Sequence, residues 1–127
     1  MLFCFDRWGL WCPPLLACLV GALSACSAQP QPAAEDVARA VQLRPAAPAL
    51  AEKYERSCMV CHSQVGAQAP LTGFAPDWQP RLRQGMERML QHAQQGLNAM
   101  PAGGQCADCS PEELRALIEF MAKGTAL

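Results

Sequence analysis

The amino-acid sequence predicts an all-α domain, and three observations support this fold class. Apolar residues recur at helical spacing in the segments 50–61, 82–93 and 114–121. The loops between these segments, 63–76 and 96–105, are rich in Gly and Pro, which interrupt helices. No segment shows the sustained alternation of apolar and polar residues that is typical of a β-strand.

Each predicted helix has a local justification. The apolar face of the first helix carries Leu50, Tyr54 and Cys58, which lie four residues apart. The second stretch, 82–93, is amphipathic, and Gly85 is a break between two short helices within it. The last helix begins at Ser110-Pro111-Glu112-Glu113, which combines a capping box with Pro at the first helical position. Gly124 ends this helix.

The N-terminal segment, residues 1–25, is predicted to be a lipoprotein signal peptide. Its apolar stretch, 10–23, is too short to span a bilayer and is typical of a secretory signal. Leu23-Ser24-Ala25-Cys26 is similar to the bacterial lipobox, in which the Cys is diacylated and becomes the first residue of the mature protein. Ser27 favours sorting to the outer membrane. The alternative is an ordinary signal peptide that is cleaved near Ala28, with loss of Cys26.

Residues 26–49 are predicted to be a semi-extended tether that carries the lipidated Cys26. The segment is rich in Pro, Ala and Gln, and little in it could build a core. At about 3.1 Å per residue, about twenty residues of Pro-rich chain reach about 60–70 Å at most. Some helical spacing at 34–43 allows a short helix, alone or on a partner. The compact domain is therefore predicted to be 50–127.

The charge balance and the cysteines narrow the function. Ten Lys and Arg against eleven Asp and Glu give a formal net charge of −1, which argues against a nucleic-acid partner. No Ser/His/Asp set, carboxylate pair or phosphate loop indicates catalysis, so an enzyme is not predicted. Apart from the cysteines of the signal peptide and Cys26, the chain contains Cys58, Cys61, Cys106 and Cys109.

Cys58-Met59-Val60-Cys61-His62 forms the pattern C-x-x-C-H, which is the attachment site of a c-type haem. Two thiols at this spacing, on about one helical turn, can each add to a vinyl group of one porphyrin. The imidazole of His62 then lies beneath the ring, where it can bind the iron. The sequence therefore predicts one covalently bound haem c, which also supplies apolar interior that so small a domain lacks.

This motif, with Gly96-Leu97-Asn98-Ala99-Met100-Pro101 and Cys106-Ala107-Asp108-Cys109-Ser110, resembles class I cytochrome c, and more closely the bacterial cytochrome c5 group. The resemblance extends from about Ala51 to Met121. It implies a cytochrome c fold, in which about four helices surround one covalently bound haem c. Its N- and C-terminal helices would cross at Tyr54, Leu117 and Phe120. Many class I members have Gly where this chain has Leu50, so the crossing is expected to be slightly wider.

The sixth ligand of the iron is predicted to be the thioether of Met100. This residue lies in a loop before Pro101, and the family pattern places the ligand here, whereas the methionines of the predicted helices are typical core residues. A thioether opposite His62 raises the reduction potential. The alternative is His92, on the second helix, which would make a bis-His site.

The resemblance also implies contacts around the haem. The carbonyl of Pro70 would accept a hydrogen bond from the proximal imidazole and fix its orientation. Asn98 would orient the sixth ligand or its loop. Trp78, Arg81 and Arg83 are candidates for contacts with the haem propionates, and the alternative is a packed Trp and two solvated Arg.

Cys106 and Cys109 lack a following His, so they are not a second haem site. Within the resemblance they form a disulfide that stiffens the Met100 loop just before the last helix. A thioredoxin-like redox pair and a tetrahedral zinc site shared with Cys58 and Cys61 remain alternatives.

The predicted function is that of a periplasmic one-electron carrier in a respiratory chain. It would link a quinol-oxidising complex to a terminal oxidase or a periplasmic reductase through transient docking, while a lipid anchor holds it at a bacterial membrane. The alternative function is a haem-based sensor or small-ligand-binding protein with an open or labile sixth site. A zinc or disulfide scaffold without haem is a third possibility.

Overall fold

The helices of this protein follow one another without any intervening strand in residues 29–125, which are the residues that the computed structural model describes. The α-helices are α1 (Ala34–Gln42), α2 (Pro48–Lys53), α3 (Met59–His62), α4 (Ala75–Leu82), α5 (Met86–Gln95) and α6 (Pro111–Lys123). Short 3₁₀ turns at Val65–Ala67 and Ala102–Gln105 interrupt the loops. The predicted all-α fold class is therefore confirmed.

A single helical path leads from Pro48 to His62, and it includes α2, a π-helical segment at Tyr54–Cys58, and α3. At the end of the π-helical segment, the amide of Met59 donates to the carbonyl of Tyr54, which widens the turn by one residue. Such segments occur frequently at functional sites. Here the wide turn leads into the C-x-x-C-H motif and includes its first residue, Cys58.

The last helix, α6, begins and ends where the sequence predicts. The amide of Glu113 donates to the Ser110 hydroxyl at 3.2 Å, and the Ser110 amide donates to the Glu113 carboxylate at 2.8 Å. Pro111 occupies the first helical position, where its missing N–H costs nothing. Gly124 follows the helix with a φ of 66°, a left-handed conformation that favours Gly.

The main core lies where α6 meets the π-helical segment. Tyr54 and Phe120 are fully buried, and their rings meet edge to face with centroids 5.0 Å apart. Leu117 is also buried, while Leu50 is half-buried at the margin of the same cluster. These are the positions at which the resemblance to class I cytochrome c implies a crossing of two helices.

Helix α4 was not predicted from the sequence. It begins at Ala75, inside the segment that its Gly and Pro content marks as a loop, and it contains Pro76 and Pro80. Pro76 lies in the first turn, where Pro is tolerated, and this explains why the helix can form despite its composition. Its buried residue is Trp78.

The structure differs most from the sequence prediction in residues 29–49. Instead of an extended tether, it shows α1 packed on the domain, with Ala40 fully buried against Leu71 and Phe74 and with Val37 beside them. Ala has no bulk beyond Cβ, so α1 approaches the loop closely. Because the burial is supplied by partners far along the chain, composition alone gives no sign of it.

The predicted signal peptide and the predicted lipid site at Cys26 lie outside the described residues. Within residues 29–125, none of the helices has the length and apolar character that crossing a membrane requires.

Candidate haem site

The C-x-x-C-H motif lies at the end of the helical path from Pro48, and this position presents its side chains together. Cys58 and Cys61 are three residues apart and therefore share one side of the helix. Both have free thiols, and Cys58 is buried while Cys61 is half-buried. Burial raises the pKa of the Cys58 thiol, so this thiol stays protonated at neutral pH.

His62 is held as a neutral imidazole with one ring nitrogen already engaged. It is 7% exposed, and its Nδ1–H donates to the carbonyl oxygen of Pro70 at 2.8 Å. Burial lowers the pKa of His62, and the nearby Arg81 cation lowers it further, against the effect of the Pro70 hydrogen bond. Nε2 is therefore the nitrogen with a free lone pair, which is the form that binds a metal.

The loop formed by residues 70–74, which we call the proximal loop, holds His62 by its backbone as well as by its ring. The amide of Thr72 donates to the carbonyl of His62 at 2.8 Å. The Thr72 hydroxyl is hydrogen-bonded to the Tyr54 hydroxyl at 3.0 Å in the core. The position of the imidazole is thus linked to the main helix crossing.

Trp78 and Arg81 lie on α4 beside the same loop. The Trp78 ring stacks on the His62 ring with centroids 5.8 Å apart, and its Nε1–H donates to the Leu71 carbonyl at 2.7 Å. The indole N–H is thus engaged within the protein rather than free for a haem propionate. The half-buried Arg81 donates to the Asp77 carbonyl, while Arg83 is exposed at the end of α4.

The loop that carries Met100 is a tight turn. The amide of Leu97 donates to the Met100 carbonyl at 3.0 Å, and the Met100 amide donates back to Leu97 at 2.9 Å. Asn98 adopts a left-handed φ of 55° at the exposed tip, which Asn tolerates better than most residues. Asn98 therefore shapes the loop through its backbone. Met100 is half-buried against the main core.

His92, the alternative sixth ligand, lies on helix α5 rather than in the Met100 loop. It is half-buried in the last turn of α5, and its carbonyl accepts the amide of Gly96 at 2.8 Å, which starts the Met100 loop.

Cys106 and Cys109 are bonded to each other in a disulfide. They cannot therefore complete a zinc site with Cys58 and Cys61, and residues 29–125 contain no cluster of three or more His, Cys, Asp and Glu side chains that could hold a metal ion. The disulfide loop is tied to the helical path by Lys53, which donates to the Asp108 carbonyl at 3.0 Å.

Two contributors to the site were missed at the sequence level. Leu71 is fully buried, and its carbonyl accepts a hydrogen bond from the indole N–H of Trp78. The amide of Leu71 donates a hydrogen bond to the Asp77 carboxylate at 2.9 Å. Asp77 also accepts a hydrogen bond from Gln29 at 3.2 Å. The sequence held no sign of either role, because helix α4, in whose first turn Asp77 lies, was itself not predicted.

The side chains present fit a haem c. The chain offers two unpaired thiols for thioether bonds, a neutral imidazole with one free nitrogen, and a thioether in a constrained loop. Met100 is in addition half-buried against the main core, so its thioether lies in apolar surroundings.

Comparisons with known proteins identify relatives of this chain. The family model described as "Cytochrome C oxidase, cbb3-type, subunit III" matches residues 45–121. Cytochrome c5 of Azotobacter vinelandii is 41% identical over 66 residues, which are 50% of this chain and 80% of that protein. Cytochrome c5 of Ectopseudomonas mendocina is 40% identical over 68 residues, which are 52% of this chain and 78% of that protein.

Two solved structures are similar to this chain in both fold and sequence. A chain in the electron transfer complex of nitrite reductase with cytochrome c is 35% identical, with a TM-score of 0.55, and the match covers 61% of this chain and 95% of that chain. A mono-haem ferrocytochrome c from Shewanella putrefaciens is 43% identical, with a TM-score of 0.54, and the match covers 60% and 94%. The family match covers the segment that holds the thiols, the imidazole and the thioether loop, and the two cytochrome c5 relatives are matched over most of their own length. This chain therefore belongs to the cytochrome c family and is a class I cytochrome c of the c5 type, an electron-transfer protein with one haem c.

Proposed function

We propose that this protein is a one-electron carrier of a periplasmic respiratory chain, with Cys58 and Cys61 as the thioether ligands of the haem and His62 and Met100 as the axial ligands of the iron. When bound, the haem supplies a reversible ferrous/ferric couple. The observation that carries the proposal is the 2.8 Å hydrogen bond from His62 Nδ1–H to the Pro70 carbonyl, directly after two unpaired thiols. This bond selects the tautomer and fixes the ring for ligation through Nε2.

The Met100 loop supports a carrier rather than a ligand-binding protein. Its two backbone hydrogen bonds hold Met100 in a tight turn, and an ideal Cβ on Gly104 would lie only 3.1 Å from the Met100 methyl group. A thioether on a loop that these hydrogen bonds already order would compete effectively with small external ligands. If His62 and Met100 both hold the iron, no position would be left for an external ligand, and only electrons would need to cross the protein surface.

The proposed location and partners are supported by the N-terminal sequence and by the relatives. We infer that residues 1–25 direct export and that Cys26 carries a lipid on the periplasmic side of a bacterial membrane, with the outer membrane favoured by Ser27. The similarity to a chain in a complex with nitrite reductase supports a periplasmic reductase as one partner. A quinol-oxidising complex and a terminal oxidase are the other proposed partners, each met through a small and transient interface.

The decisive experiment is the visible spectrum of the exported holoprotein and of Met100→Ala. We expect the oxidised native protein to show the weak far-red band of a ferric iron–sulfur bond and its reduced form to bind no carbon monoxide. Met100→Ala should lose the band and bind carbon monoxide, because the sixth position opens. Met86→Ala is the matched control, since Met86 is a half-buried methionine of α5, and it should keep the band.

Other spectra would contradict the proposal. A far-red band that persists in Met100→Ala would assign the sulfur to another methionine. Carbon monoxide binding by the native ferrous protein would favour the sensor function, with a labile sixth site.

The lipid anchor has its own test, the mass and partitioning of the mature protein. We expect a membrane-bound protein that begins at Cys26 and carries acyl chains, and we expect Cys26→Ser to be released from the membrane. A mature N-terminus near Ala28 without acyl chains would instead show an ordinary signal peptide.

A further inference from the structure

Residues 29–44, which we call the N-terminal strap, precede the segment that matches the cytochrome c family model, residues 45–121. The strap nevertheless packs on that domain. Ala40 is fully buried, and it forms a small apolar cluster with Leu71 and Phe74, to which Val37 contributes from the same face of α1. This cluster is separate from the main core.

The partner of the strap is the proximal loop. Leu71 lies between the two residues that hold His62, because the Pro70 carbonyl accepts from the imidazole and the Thr72 amide donates to the His62 carbonyl, both at 2.8 Å. Leu71 is fully buried beneath Ala40. The contact of Ala40 with the Leu71 side chain therefore constrains the segment that orients the His62 imidazole.

Further contacts tie the strap to the same region. Gln29 donates to the Asp77 carboxylate at 3.2 Å, and the other oxygen of that carboxylate accepts the amide of Leu71 at 2.9 Å. At the other end of the strap, the Leu43 side chain lies 2.9 Å from the place that a Cβ on Gly73 would occupy. The strap thus contacts the proximal loop through Ala40 and Leu43, and through Gln29 it reaches the carboxylate that holds the Leu71 amide.

We propose that the N-terminal strap is a positioning element for the proximal ligand, in which Ala40 holds Leu71 so that the Pro70 carbonyl stays on His62 Nδ1–H and water is kept out. This inference rests on the proposed role of His62 as an axial ligand. A firm hydrogen bond from Nδ1 makes the imidazole a better donor to the iron and thereby favours the ferric state. The strap therefore lowers the reduction potential of the domain that it covers.

The test uses the full-length holoprotein with Ala40→Asp, which puts an unpaired charge into the buried face of α1 and detaches the strap. Val41→Asp is the matched control, since the neighbouring side chain is 46% exposed and the charge change is identical. We expect Ala40→Asp to raise the reduction potential and to speed hydrogen exchange at the Thr72 amide and at His62 Nδ1–H about tenfold. Val41→Asp should behave as the native protein does.

A milder variant keeps the proposal open to refutation if Ala40→Asp does not fold. Val37→Ala removes part of the same contact, and it should shift the potential and both exchange rates in the same direction by a smaller amount. A strap of purely structural importance would lower the melting temperature in these variants and leave the potential and the His62 exchange rate equal to those of Val41→Asp, which would overturn the proposal. The hyperfine-shifted NMR signals of the His62 ring in the ferric Val41→Asp control report separately whether this residue binds the iron, as the proposed function requires.

Discussion

Gly96 shows how a single residue determines the geometry of the Met100 loop. Its φ is 86°, and an ideal Cβ would lie 2.9 Å from the Met100 carbonyl oxygen and 3.1 Å from the Ala102 amide nitrogen. Both contacts are with backbone, which cannot rotate away. Only Gly therefore allows the chain to leave α5 and return directly with the thioether in place.

We expect Gly96→Ala to destabilise the native protein by about 1–3 kcal/mol, because it combines a left-handed conformation with a backbone clash. The loss should be concentrated in the Met100 loop. Thermal unfolding followed at the far-red band should begin at a lower temperature than unfolding followed by helix content.

Gly66→Ala is the control for this substitution. Gly66 has no neighbouring atom within 4 Å of an ideal Cβ, so the added methyl group meets no obstacle. Equal melting curves for Gly96→Ala and the native protein would show that the loop adjusts freely and that Gly96 does not constrain Met100.

At the scale of elements, local signals predicted most of the helices. Ser110 and Gly124 mark the two ends of α6, and Gly85 marks the start of α5, because caps and left-handed turns depend on residues close in sequence. Helix α4 was not predicted, because Pro76 and Pro80 are residues that usually interrupt helices. Its stability comes from burial of Trp78, which is a tertiary contact.

The same distinction holds for the candidate site. The spacing of Cys58, Cys61 and His62 is a local pattern and is visible in the sequence, and the family resemblance adds Met100 and Pro70. The stack of Trp78 on His62 could not be predicted, because it depends on how a later helix returns to the motif. The packing of α1 on the domain could not be predicted for the same reason, because Ala40 is buried by Leu71 and Phe74, which lie in a loop distant in sequence.

Across the whole molecule, an ion cluster joins the disulfide loop and the start of α6 to the helical path that ends at the haem motif. Lys53 pairs with Glu113 at 2.6 Å, and Arg56 pairs with Asp108. The Arg56 hydrogen bond lowers the pKa of Asp108, and the Lys53 hydrogen bond lowers the pKa of Glu113. A carboxyl group with a lowered folded-state pKa stabilises the protein above its unfolded-state pKa, and this contribution disappears as the pH falls through the folded-state pKa.

We therefore expect Asp108→Asn to reduce the loss of unfolding free energy that the native protein shows as the pH falls below about 4, the range in which an unperturbed Asp is protonated. The variant should be less stable than the native protein at pH 7 and should approach it in strong acid. Urea unfolding at a series of pH values measures this slope. Arg56→Gln removes the partner cation and should flatten the curve in the same way, whereas a native slope in both variants would show that the pair does not contribute.

The packed strap also sets how far the domain can move. The strap contacts the domain from Gln29 onward, so only Ser27 and Ala28 separate its first contact from the proposed lipid at Cys26. Three fully extended residues span about 10 Å, whereas a free tether would reach about 60–70 Å. A lipidated form would consequently lie against the bilayer and meet its redox partners by lateral diffusion in the plane of the membrane.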